Sequence, residues 1–341
     1  MNGINPRLTT GELLAIFILS LLFLMGCVAG QQPTLSPQPT SPSPIMPSAA
    51  PADVSQSNIS AQPDWMLVPA RPFDEALMDA AHSLLSLVEL PPPGEKRLLL
   101  IDAPIDGNSG IQSFATRKIE LRLGDLVRKK YPQFSLQPFT PEHVSKSPLV
   151  LIGTLTPVNG SGLAEGRREA YRICLALTDL KSASVVSKEM TRAQMQGVNH
   201  TPTPYFQESP AWMHERSAEG YIQTCETSKP GDRIGPAYLD GVMTRARLSE
   251  AMASYDSGNY KQALERYSRA AETRAGEELR VHNGLYLTNI KLGRSAAAAA
   301  ALAKIVEYGL TRKQLAMNFL FKPGAAVFAA VQSANGNYAT W

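Results

Sequence analysis

Three cysteines and five histidines are the side chains of this 341-residue sequence best suited to nucleophilic, redox or metal chemistry. His82, His143, His200, His214 and His282 never pair at a metal-ligand spacing, and neither Cys174 nor Cys225 has a C-x-x-C partner. "MHERS" sets Glu215 beside His214 but lacks the second histidine that a zincin helix uses to hold zinc. No G-x-S-x-G elbow presents a nucleophilic serine. "GSGLAEG" (residues 160–166) has the glycines of a phosphate loop without its Lys-Ser/Thr, and it leads into an expected strand rather than a helix N-terminus. With "PVNG" before it, the segment reads as a hairpin or flexible loop. The charged residues of this part read as solvated surface groups. The sequence therefore predicts no catalytic residue, no metal site and no cofactor, and the chain is read as not an enzyme. Cys174 and Cys225 remain as a possible disulfide, which in an oxidising compartment would contribute about 4 kcal/mol by chain entropy. The alternative is two buried free thiols.

Cys27 stands apart, because it ends an apolar run. Residues 13–25 are almost wholly apolar and follow a start whose one basic side chain is Arg7. As a helix they span roughly 20 Å, short of the ~30 Å hydrocarbon core, which is the pattern of a secretory signal. Leu24-Met25-Gly26-Cys27 resembles the lipobox of bacterial lipoproteins, with Met25 bulkier than the usual residue there. The resemblance implies removal of residues 1–26 and acylation of Cys27. Val28 in place of an acidic residue implies sorting to the outer membrane, with the protein facing the periplasm. An uncleaved anchor reaching Gly30, with Cys27 incidental, is the competing reading. Residues 27–70 then form a tether rich in Pro, Ser, Gln and Ala. Such composition buries too little apolar surface to order itself, and extended at ~3.1 Å per residue it would reach on the order of 100 Å.

About 270 residues remain for folded structure, enough for two modest domains. The net charge of +3 and the absence of a basic stripe exclude nucleic acid as a partner. "VRKKYP" (127–132) is the densest cationic patch and reads as charge at a helix C-terminus.

Residues 71–236 read as an α+β domain, a mixed sheet with helices. Apolar spacing predicts helices over 73–90 and 111–130, and strands over 97–105, 134–139 and 148–155. Between the last two strands Thr140 caps a short helix that starts at Pro141. Tyr171, Ile173, Leu175 and Leu177 alternate with Arg172, Cys174, Ala176 and Thr178, the period of a strand over 169–180. "DLKSAS" turns it back into another over 184–194. "PLVLIGTL" followed by "YRICLALTDLKSASVVSKEMTRA" resembles the core of curli-secretion-protein and penicillin-binding-protein-activator lipoprotein domains. Members of that type assist assembly, secretion or enzyme activation rather than catalyse, so the resemblance implies periplasmic or envelope protein partners. Residues 197–236 lack periodicity and read as a long loop. Its aromatics Tyr205, Phe206, Trp212 and Tyr221 either pack the loop onto the sheet or form a partner-facing patch.

Residues 237–314 read as all-α. Ala251, Gly258, Tyr260, Ala263, Tyr267 and Ala270 resemble the small and aromatic positions of a tetratricopeptide repeat. A weaker copy follows over 283–309, with Gly293 about one repeat length after Gly258. The resemblance implies peptide or protein binding and adds Tyr260 and Tyr267 as partner-binding candidates. An unrelated helical hairpin is the alternative. In residues 315–341, Phe319, Phe321, Gly324 and Phe328 resemble the opening of an OmpA-like domain, which implies an incomplete domain and possible contact with peptidoglycan. Together these features resemble outer-membrane lipoproteins of the OmpA family. The leading expectation is a lipid-anchored, non-enzymatic docking or envelope-assembly factor. A peptidoglycan tether with a truncated wall-binding domain is the alternative, and an envelope hydrolase is a third.

Overall fold

A computed structural model describes residues 64–88, 95–213, 215–313 and 316–317. The signal segment, Cys27, most of the tether, His214 and all but Ala316–Met317 of the OmpA-like opening lie outside these residues. The first part of the described chain runs α1 (Asp64–Leu67), α2 (Phe73–Ser86), β1 (Arg97–Ile101), β2 (Ile105–Asp106) and α3 (Phe114–Lys130). It continues through β3 (Phe134–Leu136), α4 (Pro141–Val144), β4 (Leu149–Val158), β5 (Ala170–Asp179) and β6 (Ser184–Ala193). Then come α5 (Pro204–Glu208), β7 (Ala211–Trp212), α6 (Arg216–Glu226), α7 (Pro236–Asp256) and α8 (Tyr260–Ala271). A 3-10 turn at Arg274–Glu277 leads to α9 (Leu279–Lys291), α10 (Ser295–Thr311) and β8 (Ala316–Met317).

The expected mixed sheet with helices is present. Strand order is β3-β1-β4-β5-β6, with β2 also beside β4. β1 runs parallel to β3 and β4, while β4, β5 and β6 form an antiparallel meander. Alternation along each strand feeds two cores. Leu99, Ile101, Leu151, Ile173, Leu175 and Leu177 pack beneath α2 and α3. Leu100, Val150, Ile152, Cys174 and Ala176 face the other way, toward α4, α6 and α7. With both faces covered, β4 and β5 are buried almost end to end. Ser113 and Thr116 form a capping box that starts α3, three residues after the expected position. Thr140 caps α4, and Pro141 takes its first position.

Several boundaries differ from expectation. The strand expected over 97–105 is broken into β1 and β2 around Ala103 and Pro104, and the one expected over 134–139 ends at Leu136. The long loop expected over 197–236 is corrected more deeply, because it contains α5, β7 and the 11-residue helix α6. The buried face of α6 consists of Ser217, Ala218, Gly220, Tyr221, Thr224 and Cys225, so it carries no apolar stripe to read. Small residues are needed there: a Cβ on Gly220 would sit 2.4 Å from the backbone nitrogen of Tyr238.

The domain boundary expected between residues 236 and 237 is also corrected. Tyr238, Val242 and Ala246, in the first half of α7, complete the core on the second face of the sheet. Leu248, Ala251, Met252 and Tyr255, in its second half, join Ala263, Tyr267 and Val281 in a helical core. The described residues accordingly fall in one compact unit. Beyond α7 the chain turns back at Gly258 and again at Gly293, both at positive φ. Tyr267 of α8 lies flat against α9 where Gly284 leaves room, since a Cβ there would stand 2.3 Å from the ring.

Candidate functional site

Two charged assemblies border α7, and they are built differently. The first is buried. Asp102, the residue after β1, accepts from Arg245 Nε at 2.8 Å and Nη2 at 3.0 Å, and from the Tyr238 hydroxyl at 3.1 Å. Arg245 lies 4.4 Å from the Tyr221 ring centroid. The Tyr221 hydroxyl accepts from Gly153 N at 2.7 Å and lies 3.1 Å from the Asp102 carbonyl oxygen. Asp102 is 2% and Arg245 6% exposed, so these charges were taken from water and are stabilised only by one another and the surrounding dipoles. Burial pushes the Tyr221 and Tyr238 phenols well up, which keeps both protonated.

The second assembly lines a cleft of about 590 Å³ between α6 and α7 on one side and the 3-10 turn, α9 and α10 on the other. At its floor Glu215, the N-cap of α6, pairs with the Arg280 guanidinium and accepts the Arg280 backbone N–H at 3.3 Å. Arg280 also donates to the Gly110 carbonyl at 3.1 Å and sits over the Phe206 ring. Glu278, the N-cap of α9, faces the cleft half-buried. Burial and then the charge of Glu215 push its carboxyl up to about 7, against the pull of Arg280, Arg312 and Arg245. At the end of α10, on the same side as Glu278, the Arg312 guanidinium stacks 3.8 Å from the Tyr308 ring centroid. Arg216, Glu219, Asp240 and Arg274 form the exposed rim. A recess with charges of both signs on two walls suits a polar ligand or a charged polypeptide segment. A carboxyl near neutrality in a recess is also the kind of group that general acid–base chemistry uses, but Glu278 makes no hydrogen bond to a nucleophilic side chain among the described residues.

The helix that supplies one wall is locked to the sheet twice. A disulfide joins Cys174 on β5 to Cys225 on α6, with Cα atoms 6.1 Å apart. Glu226 at the end of α6 accepts from Thr154 Oγ1 at 3.0 Å and Thr156 Oγ1 at 2.7 Å, and pairs with Arg172.

Four of the six aromatic partner candidates are corrected by their burial. Tyr205, Phe206, Tyr221 and Tyr267 are 1%, 8%, 0% and 0% exposed and belong to the cores. Tyr205 donates to the Arg280 carbonyl at 2.7 Å and stacks on Tyr267 with centroids 6.0 Å apart. Trp212 and Tyr260 are half-buried: Trp212 Nε1 donates to the Ser109 carbonyl at 3.1 Å, and Lys291 lies 5.8 Å from the Tyr260 ring centroid. Glu215, read from sequence as a solvated group, is 5% exposed and ion-paired. Neither the cleft nor the Asp102 cluster was visible in the sequence, because their members are far apart along the chain and share no motif.

Among the described residues no group of three or more His, Cys, Asp or Glu side chains could hold a metal ion. No described helix is long and apolar enough to cross a membrane. No protein-family model and no curated protein sequence matches the chain. Among solved structures the chain is similar to the NMR structure of E. coli LpoB, at 14% identity and a TM-score of 0.23, over 54% of this chain and 100% of that one. At that TM-score the likeness carries no inference about fold or activity.

Proposed function

We propose that this chain is a non-enzymatic lipoprotein of the outer membrane, acylated on Cys27, that docks periplasmic or other envelope proteins. The observation that carries the docking part is the cleft, a charged recess of about 590 Å³ whose walls come from α6, α7, α9 and α10. Its walls are braced by the disulfide and by the Glu215–Arg280 pair, so it is preorganised to receive a partner. The disulfide fits an oxidising compartment, the one to which the signal-like segment would deliver the chain. The α7–α8 and α9–α10 hairpins are read as a tetratricopeptide-like pair, supported by Gly258 and Gly293 at the turns and by Tyr267 packed on Gly284. One acyl chain alone anchors only marginally, and the multiple acylation of bacterial lipoproteins would make the attachment stable.

Two measurements test this reading. Metabolic palmitate labelling should mark the wild type and not Cys27→Ala, which should leave the membrane fraction; an unlabelled variant that stays integrated overturns the lipid anchor. A photocrosslinking side chain at Asp240, on the cleft rim, should trap a discrete envelope protein in intact cells. The same probe at Leu87, exposed beyond α2 on the other side of the sheet, should not. Equal trapping at both positions, or none at Asp240, overturns docking at the cleft.

A further inference from the structure

The dipeptide Asn-Gly stands at two places among the described residues, Asn159–Gly160 and Asn283–Gly284, and the fold treats them differently. A backbone amide that follows asparagine can attack the side-chain carboxamide, and glycine there lacks the Cβ that would hinder the approach. At Asn283–Gly284 the fold blocks this. Both residues lie inside α9, whose hydrogen-bond ladder occupies the Gly284 amide. Asn283 is 4% exposed, and its Nδ2 donates to the Ala211 carbonyl at 2.8 Å. Asn159–Gly160 instead opens the turn between β4 and β5, with Asn159 half-buried and Gly160 exposed. Asn159 N donates to the Leu163 carbonyl at 2.8 Å, and Gly162 N donates back to the Asn159 carbonyl at 3.0 Å. The turn is therefore ordered around the reactive pair.

Three features of that order suit the chemistry. Asn159 Oδ1 accepts from Ser161 N at 2.9 Å and from Leu163 N at 3.0 Å, so two backbone dipoles already aim at the atom that becomes negative when Cγ is attacked. The Gly160 N–H makes no hydrogen bond among the described residues, which leaves it free to lose its proton. The Glu169 carboxylate leans on Gly160, where an added Cβ would stand 2.7 Å from Oε2. We propose that Asn159 is a self-modifying site, converted through a cyclic imide to aspartate and isoaspartate. Gly160 N attacks Asn159 Cγ while its proton passes to the Glu169 carboxylate, and the Ser161 and Leu163 amides hold the oxyanion on Oδ1. The intermediate collapses as the Cγ–Nδ2 bond breaks, and Nδ2 takes the proton from Glu169 and leaves as ammonia. Water then adds to either carbonyl of the imide and opens it to aspartate or isoaspartate; nothing is oxidised or reduced.

Ageing the detergent-solubilised full chain at neutral pH, with tryptic peptides followed by mass spectrometry, tests the proposal. The peptide of residues 147–167 should gain the mass of an amide-to-acid change, split between aspartate and isoaspartate forms, while the peptide of residues 281–291 stays unchanged. In guanidinium chloride both asparagines are released from the fold. Residue 159 should then convert at least about tenfold more slowly than in the folded chain, and Asn283 should begin to convert. Glu169→Gln should slow the folded reaction at Asn159 by at least about tenfold and leave the unfolded rate unchanged. The wild-type comparison of folded with unfolded chain needs no variant, so a Glu169→Gln chain that fails to fold does not spare the proposal. A folded rate at Asn159 no higher than the unfolded one overturns it. So does equal conversion of Asn159 and Asn283 in the folded chain, or a folded Glu169→Gln chain that reacts as fast as the wild type.

Discussion

The Asp102–Arg245 cluster and the cleft use the same chemistry to opposite ends. In the cluster carboxylate and guanidinium are dehydrated and closed into a two-pronged pair between two tyrosines. In the cleft, Glu278, Arg274 and Arg312 stand apart, none of them in an ion pair among the described residues. Collapsed charges hold the sheet to α7, and removing one leaves its partner stranded in a medium that cannot solvate it. Separated charges contribute little to the fold and remain available to something else. The difference distinguishes a fastening from a recognition surface without any appeal to motif.

That contrast can be broken by mutation. The largest effect is expected from Arg245→Met, which strands Asp102 at 2% exposure and should cost about 3–5 kcal/mol in urea unfolding. The double variant Asp102→Leu with Arg245→Met should recover much of that loss, because neither charge is then left buried alone. A smaller, pH-dependent effect is expected from Glu278→Gln. The folded carboxyl titrates near 7, above its ordinary value of 4.5, so the native state holds the proton more tightly than the unfolded chain. Its contribution is complete below about pH 4.5 and is lost as pH rises through about 7. The variant should match the wild type near pH 4.5 and be more stable by about 1–2 kcal/mol at pH 8, solvent access trimming the full conversion. A variant without effect at pH 8 would mean that Glu278 is better solvated or paired than its surroundings indicate. The smallest effect is expected from Arg274→Gln at the exposed rim, within about 0.5 kcal/mol by chemical denaturation. A loss beyond about 2 kcal/mol there would erase the distinction between fastening and recognition surface.

How much of this was legible depends on what each element buries. β5 could be read because Tyr171, Ile173, Leu175 and Leu177 face one core while Cys174 and Ala176 face the other. The start of α4 could be read because Thr140 and Pro141 are local signals that need no tertiary partner. α6 could not be read. Its buried face meets α7 so closely that only Ser, Ala, Gly and Thr fit around Tyr221 and Cys225, and those residues also compose loops. The cleft was hidden for another reason. Glu215, Glu278 and Arg312 lie on three separated stretches, and each reads as an ordinary surface charge until the helices bring them together. Of the two readings open for the loop aromatics, burial selects inward packing for Tyr205, Phe206 and Tyr221, while Tyr267, expected as a partner contact, also serves the interior.

The helix α7 has a mechanical consequence. Its 21 residues span about 30 Å and act as a beam shared by two rooms, with Tyr238, Val242 and Ala246 in one and Leu248, Met252 and Tyr255 in the other. Neither room can be opened while the beam keeps its place, so heating should melt sheet and helices in a single cooperative step. A load placed on the hairpins should be felt at the strands as tilt and not merely as local loosening.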